Sequence, residues 1–178
     1  MLARSALLKY ALGLLVAATL SACGFHLRGA SDMAMPFKTI YLGFADSSTL
    51  GNTLKRNIRG AGNTVVVPDA KDAEAILDVL SETREKSVLS LNSQGRVREY
   101  TLIYVFKFRV RDGQNNELLA PTEIRLARDI NYDDSQTLAK ESEEAMLYRD
   151  MQTDLVAQIM RRLSAIQVKA QTQIQTPQ

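Results

Sequence analysis

The chain has 178 residues, with 22 Lys and Arg against 20 Asp and Glu, one histidine and one cysteine. A formal net charge of +2 excludes a general nucleic-acid binder. A single cysteine excludes an internal disulfide, and the ligand clusters of a zinc site are missing at any regular spacing. Charge is nonetheless unevenly spread: from Arg84 to Arg128 nine basic residues face five acidic ones, and from Asp129 to Asp154 eight acidic residues face only Lys140 and Arg149. Two surfaces of different polarity are expected.

A basic segment, Met1 to Lys9, leads into an apolar run from Tyr10 to Leu20 that ends in small residues. This is the pattern of a secretory signal peptide, and the run is too short to cross a bilayer comfortably. Residues 1–22 are therefore expected to be removed. Leu20-Ser21-Ala22-Cys23 matches the bacterial lipobox, in which the cysteine thiol takes a diacylglyceryl group and becomes the new N-terminus. Two or three acyl chains, at about 0.8 kcal/mol per buried CH₂, give stable anchoring. Cys23 is the expected lipid attachment. Gly24 follows it, and the lack of an aspartate there resembles outer-membrane sorting of the enterobacterial type. What remains is one domain of ~156 residues on the periplasmic side.

Residues 23–36 are expected to form the acylated N-terminus and a tether, and residues 37–167 the folded domain. Lys38 to Phe44 is rich in branched and aromatic residues and predicts a strand. Asp46, Ser47 or Ser48 offers a cap for a helix carrying Leu50, Leu54 and Ile58 on one face, stopped by Gly60 and Gly62. Thr64 to Val67 returns as a second strand, which makes a βαβ unit with a parallel pair. Ala75 to Leu91 is extended in character, with polar interruptions from Glu82 to Lys86, and Asn92-Ser93-Gln94-Gly95 is a turn.

Arg96 to Arg111 is the clearest strand. Tyr100, Leu102, Tyr104, Phe106, Phe108 and Val110 alternate with Thr101, Lys107, Arg109 and Arg111, and Ile103 and Val105 make the centre of the second face partly apolar. Asp112-Gly113 predicts a hairpin turn, and Leu118 to Tyr132 a third strand of the meander. A final helix is expected from a cap at Asp133, Asp134 or Ser135 to about Ile166. Its apolar stripe is Leu138, Ala145, Tyr148, Met151, Leu155, Ile159, Leu163 and Ile166. The 168–178 tail has too little apolar content to pack and is expected to be disordered. Two helices and one mixed sheet of four to five strands, with a long antiparallel meander, predict an α/β (α+β) two-layer sandwich.

Nothing here predicts catalysis, a cofactor or a metal. His26 lies beside the anchor, away from any fold that would position it as a base. Gly60-Ala61-Gly62 has no phosphate-loop spacing, and Glu141, Glu143 and Glu144 fit a solvated helix face. The hydrolase reading rests on those carboxylates alone.

Cys23-Gly24-Phe25-His26-Leu27-Arg28-Gly29 resembles the mature start of the lipopolysaccharide (LPS) assembly lipoprotein family LptE, also called RlpB. The Gly-containing turn before Glu99-Tyr100 and Leu138-Ala139-Lys140 are looser matches. The resemblance implies two helices on one face of a mixed sheet. It also implies a noncatalytic role: a plug in the LptD β-barrel that binds LPS and assists its assembly at the outer membrane. Lipid A phosphates call for cations and its acyl chains for apolar contact. Arg96, Arg98 and Lys140 are the LPS-binding candidates. Ser93 stands where the family carries a loop arginine, and Leu89 and Leu91 beside the turn are either lipid contacts or buried. A scaffold lipoprotein of another envelope machine is the alternative.

Overall fold

The computed structural model describes residues 34–167. Cys23, His26, the signal segment and the tail lie outside the described residues. Strand β1 (Thr39–Gly43) buries Ile40 completely. Helix α1 (Thr49–Ala61) is capped by Ser48, whose hydroxyl accepts the Gly51 N–H at 3.0 Å, and it closes on Gly62 at φ 82°, a conformation glycine adopts without a Cβ penalty. Leu50, Leu54 and Ile58 form its buried stripe. Strand β2 (Val65–Val66) runs parallel to β1, so the βαβ unit is present with a second strand shorter than Thr64 to Val67. Met35, expected in the tether, is 5% exposed and packs in the core, where Asn63 donates to its carbonyl at 3.1 Å.

Strands β3 (Ala75–Leu91), β4 (Val97–Arg111) and β5 (Glu117–Asn131) complete a five-stranded sheet of order β2-β1-β3-β4-β5. β3 is parallel to β1 and antiparallel to β4, and β5 is antiparallel to β4. The two hairpin turns have one design. Asn92 Oδ1 accepts the N–H groups of Gln94 and Arg96, and Asp112 Oδ1 accepts those of Gln114 and Asn116. The positive φ falls on the fourth residue of each, Gly95 at 79° and Asn115 at 68°. The hairpin expected at Asp112-Gly113 is present, as a longer turn: Asp112 acts through its carboxylate, and Asn115 carries the left-handed conformation, which asparagine tolerates.

A β-bulge governs β3. Val79 lies opposite Phe108 and Ser81 opposite Lys107, so Leu80 has no partner. Before it, Ala75, Leu77 and Val79 face the helices and join the core. After it, the helix-side residues are Glu82, Arg84 and Lys86, which meet Tyr104 and Tyr100. One extra residue therefore turns three charged side chains inward. Further irregularities leave Leu89 and Arg98 without partners in the β3–β4 ladder, the Arg98 carbonyl accepting the Tyr132 N–H at 2.8 Å instead, and place Pro121 of β5 at a bulge.

Asp133 caps a 3-10 turn (Asp134–Gln136) that leads into helix α2 (Thr137–Ser164). Its carboxylate accepts the Ser135 N–H at 2.9 Å, and that bond with the Ser135 hydroxyl holds it below the ordinary aspartate value. The buried residues of α2 are Met151, Gln152, Leu155, Val156, Ile159, Met160 and Leu163. They meet the even residues of β4 from Leu102 to Val110 and the stripe of α1 in one core. The first half of the expected stripe is corrected: Leu138 is 81% exposed and Ala145 is exposed, because that half overlies the polar part of β3.

Both helices occupy one face of the sheet. On the other, Asp78 lies between Arg109 Nε at 3.0 Å and Arg111 Nε at 2.8 Å, and Lys107 pairs with Glu123 at 2.9 Å. Ile103 and Val105 are each only 8% exposed there. β5 is one of the two outer strands, and side chains sit on its carbonyls: Arg162 donates to Glu123 at 3.4 Å and Arg128 to Ala127 at 3.0 Å, with Asp154 holding Arg128 at 2.8 Å.

Candidate functional site

The bulge at Leu80 and the tyrosines of β4 build a charged groove beneath the first half of α2. Arg84 projects from β3 over the Tyr104 ring, its guanidinium carbon 4.6 Å from the centroid, with the Tyr148 ring at 5.6 Å. Its Nη2 donates to Tyr104 Oη at 3.1 Å and to Gln152 Oε1 at 3.3 Å. Tyr104 in turn donates to Glu82 Oε1 at 2.5 Å. Burial and that carboxylate push the phenol up to about 12, so it is a fixed donor at neutral pH. Gln152, 8% exposed, also reaches Thr53 of α1 at 3.5 Å and so ties both helices to the arginine.

One step along β3, Lys86 Nζ lies 4.3 Å from the Tyr100 centroid and 5.6 Å from that of Tyr132. Glu144 of α2 accepts from it at 2.6 Å, and this bond raises the lysine above its ordinary value. Tyr148 Oη donates to the Glu85 carbonyl at 2.9 Å, and burial pushes its phenol up. Each cation thus lies against two aromatic rings, an arrangement that favours retained charge.

Two cavities follow from this arrangement. A cleft of ≈ 650 Å³ is lined by Thr49, Arg84, Lys86, Glu141, Glu144, Ala145, Tyr148, Arg149 and Gln152. A smaller one of ≈ 70 Å³, lined by Ile130, Tyr132, Thr137 and Lys140, shares Lys86, Glu141 and Glu144 with it. Lys140 thus stands inside the groove, where its ammonium pairs with Glu143 at 2.8 Å. Arg96 and Arg98 do not join it. Both are exposed on the β3–β4 hairpin and line neither cavity. Around them Val88, Leu89 and Leu91 are 53%, 51% and 57% exposed, so the two leucines beside the turn are on the surface. No cluster of metal-holding side chains occurs among the described residues.

Arg84, Tyr148 and Gln152 were not among the sequence candidates. The signal available was the period-two run Glu82, Arg84, Lys86 opposite Tyr104 and Tyr100, but its direction depends on the bulge.

The family model described as "LptE: Lipopolysaccharide-assembly" matches residues 37–163. The LPS-assembly lipoprotein LptE of Pectobacterium atrosepticum is 25% identical over 164 residues, which cover 92% of this chain and 88% of that protein. Among solved structures, the uncharacterized lipoprotein B of Nitrosomonas europaea is 44% identical at a TM-score of 0.69, covering 80% of this chain and 91% of that one. The rare lipoprotein B of Shewanella oneidensis is 29% identical at a TM-score of 0.61, covering 72% and 95%. These share the frame of two helices on one face of a mixed open sheet. From its first core strand to the end of its last helix, the chain belongs to the LptE lipopolysaccharide-assembly family.

Proposed function

We propose that this LPS-assembly lipoprotein is a noncatalytic outer-membrane component, anchored through acyl chains on Cys23, that plugs the LptD β-barrel, binds LPS and assists its assembly at the surface. The observation that carries the reading is the family match across residues 37–163. Two features of the domain support it. Val88, Leu89 and Leu91 give the hairpin end an apolar surface beside Arg96 and Arg98, and apart from them Lys140, paired with Glu143, adds a cation in the groove under α2. A phosphorylated, acylated ligand requires both kinds of contact. Anchoring is assigned to Cys23 on the strength of the Leu20-Ser21-Ala22-Cys23 lipobox.

The test is an affinity pull-down of the tagged lipoprotein from detergent-solubilised outer membranes. Recovery of the LptD barrel in stoichiometric amount supports the reading. Recovery of a different envelope machine replaces it with the scaffold alternative. In parallel, Cys23→Ala is expected to abolish incorporation of labelled fatty acid. Joint charge reversal of Arg96, Arg98 and Lys140 is expected to weaken LPS binding, most of all at low salt; unchanged binding across salt concentrations removes those three residues from the site.

A further inference from the structure

We infer that the outward face of α1, carrying Lys55, Arg56 and Arg59, rests on anionic phospholipid headgroups of the leaflet that holds the acyl anchor. The inference relies on the attachment at Cys23 proposed above, and not on the barrel or on LPS.

The charge on this helix is one-sided. Between Asp46 and Asp69 the sequence carries these three cations and no acidic residue. Leu50, Leu54 and Ile58 form the buried stripe of α1, and helical periodicity puts Lys55, Arg56 and Arg59 on the opposite side. Among the described residues none of the three enters an ion pair, whereas on the open face of the sheet Lys107, Arg109 and Arg111 all have acidic partners. Arg56 donates to the Thr53 hydroxyl of its own helix at 2.9 Å, and Asp46 shares a small cleft with Lys55 without pairing with it. Lys55 and Arg59 stand four residues apart and Arg56 and Arg59 three, spacings at which like charges repel. The helix dipole accounts for Arg59 in the last turn, but not for the other two. An anionic layer outside the helix offsets that repulsion.

The entry of the chain into the fold selects a membrane as the source of that layer. Asn63 and Thr64, just past α1, donate to the carbonyls of Met35 and Phe37 at 3.1 Å and 2.9 Å, and both of those side chains are buried. The end of α1 is thus fastened to the first described turn of the chain. Cys23 precedes Met35 by 12 positions, a length of chain that spans at most about 43 Å when fully extended. Anchoring at Cys23 therefore keeps the last turn of α1 within that reach of the lipid surface. Arg96 and Arg98 follow the far end of β3, a strand of 17 residues and so about 55 Å long; the face on α1 is separate from those LPS candidates. Single cations spread over a convex helix suit phosphates scattered in a plane, and each one beside an anionic surface favours the docked population roughly fivefold.

The test uses the one-cysteine composition of the chain. With Cys23 acylated on sulfur, a thiol introduced at Gly60 is the only one open to a fluorophore. Gly60 is exposed in the last turn of α1, and nothing lies within 4 Å of where its Cβ would stand. The acylated, labelled Gly60→Cys lipoprotein is reconstituted in vesicles of phosphatidylcholine, with or without phosphatidylglycerol, each holding a trace of lipid with a nitroxide on its headgroup. Quenching is expected to be severalfold stronger in the phosphatidylglycerol vesicles and to fade at high salt. A label at Thr83→Cys, exposed on the opposite face of the sheet, should show no such difference. Joint Lys55→Gln, Arg56→Gln and Arg59→Gln should lower quenching to the level of the neutral vesicles. Equal quenching in both lipids, or an equal response at Thr83, overturns the inference, because the tether alone then sets the distance. No quenching in either lipid also overturns it and leaves the face to an acidic protein segment. Should the triple variant fail to fold, the lipid and salt comparisons on the unaltered face decide. Labelled fatty acid is measured on the same preparations. Its absence from Cys23 rejects the proposed anchoring and this inference with it; its presence with quenching indifferent to lipid charge rejects this inference alone.

Discussion

Replacing Phe106 with alanine tests the layer assignment at its centre. Phe106 is fully buried on β4, with the ring of Phe44 at 5.7 Å and that of Phe108 at 5.4 Å. Truncating a buried phenylalanine costs about 3–5 kcal/mol, through lost transfer energy and the cavity left behind. The upper end is expected here, because Phe106 is fully buried and its ring packs against those of Phe44 and Phe108, which leave little freedom to close around a hole. Each lost ring pair also forfeits about 0.5–1.5 kcal/mol, and part of that is already contained in the truncation cost. A loss of about 4–5 kcal/mol is a large part of a stability of about 5–15 kcal/mol. With a urea slope of about 2 kcal/mol/M, the midpoint should fall by roughly 2 M. Urea titration followed by far-UV circular dichroism reads this directly, with Lys107→Ala, exposed one residue along, as a near-neutral companion. A Phe106→Ala loss under about 1 kcal/mol would refute the reasoning.

Gly43→Ala should destabilise by about 1–3 kcal/mol, since its Cβ would lie 2.8 Å from the Leu77 carbonyl of the neighbouring strand; a neutral Tm would show that β1 and β3 can part there. Burial raises the Asp78 carboxyl, but the hydrogen bonds and charges of Arg111 and Arg109 outweigh it and hold the group below its ordinary value. Its contribution is therefore fully present above the ordinary aspartate range and is lost as pH falls through the depressed folded value. Asp78→Asn should remove about 1 kcal/mol at pH 7 and flatten the acid limb of stability, and an unchanged limb would contradict the pairing. Tyr104→Phe strips Glu82 and Arg84 of a shared hydroxyl and should cost about 0.5–1.5 kcal/mol; stability equal to that of the parent chain would show that the groove does not depend on this bond.

The parts of the fold that were legible from the residues are those where local pattern and tertiary register agree. β4 carries a large apolar or aromatic residue at every second position from Tyr100 to Val110, so its helix-side face could be read residue by residue even though Ile103 and Val105 are buried on the other. In α1, Leu50, Leu54 and Ile58 sit between a serine cap and a glycine stop, and every signal points the same way. β3 is different. Its phase changes at Leu80, and an insertion of that kind is set by pairing with β4 rather than by any property of the leucine. For the same reason Glu82, Arg84 and Lys86 look like solvent-facing interruptions while they form the wall of the groove. Lys140 was reachable because Leu138-Ala139-Lys140 resembles the family's sequence there. Arg84 and Gln152 are 68 residues apart, and only the assembled layers bring them together. The stripe of α2 failed at Leu138 because periodicity shows which side of a helix is apolar, not how much of the helix has a core beneath it.

The capped rim at β5 bears on how the chain behaves in a crowded compartment. A 15-residue outer strand is long enough to template the addition of another extended segment. Arg162 and Arg128 obstruct that addition by occupying the Glu123 and Ala127 carbonyls, and neither contributes much to the packed interior. Damage at these two arginines should therefore leave the melting temperature nearly intact and show instead as turbidity and poor recovery at high protein concentration. In this domain, solubility and stability are under the control of different residues.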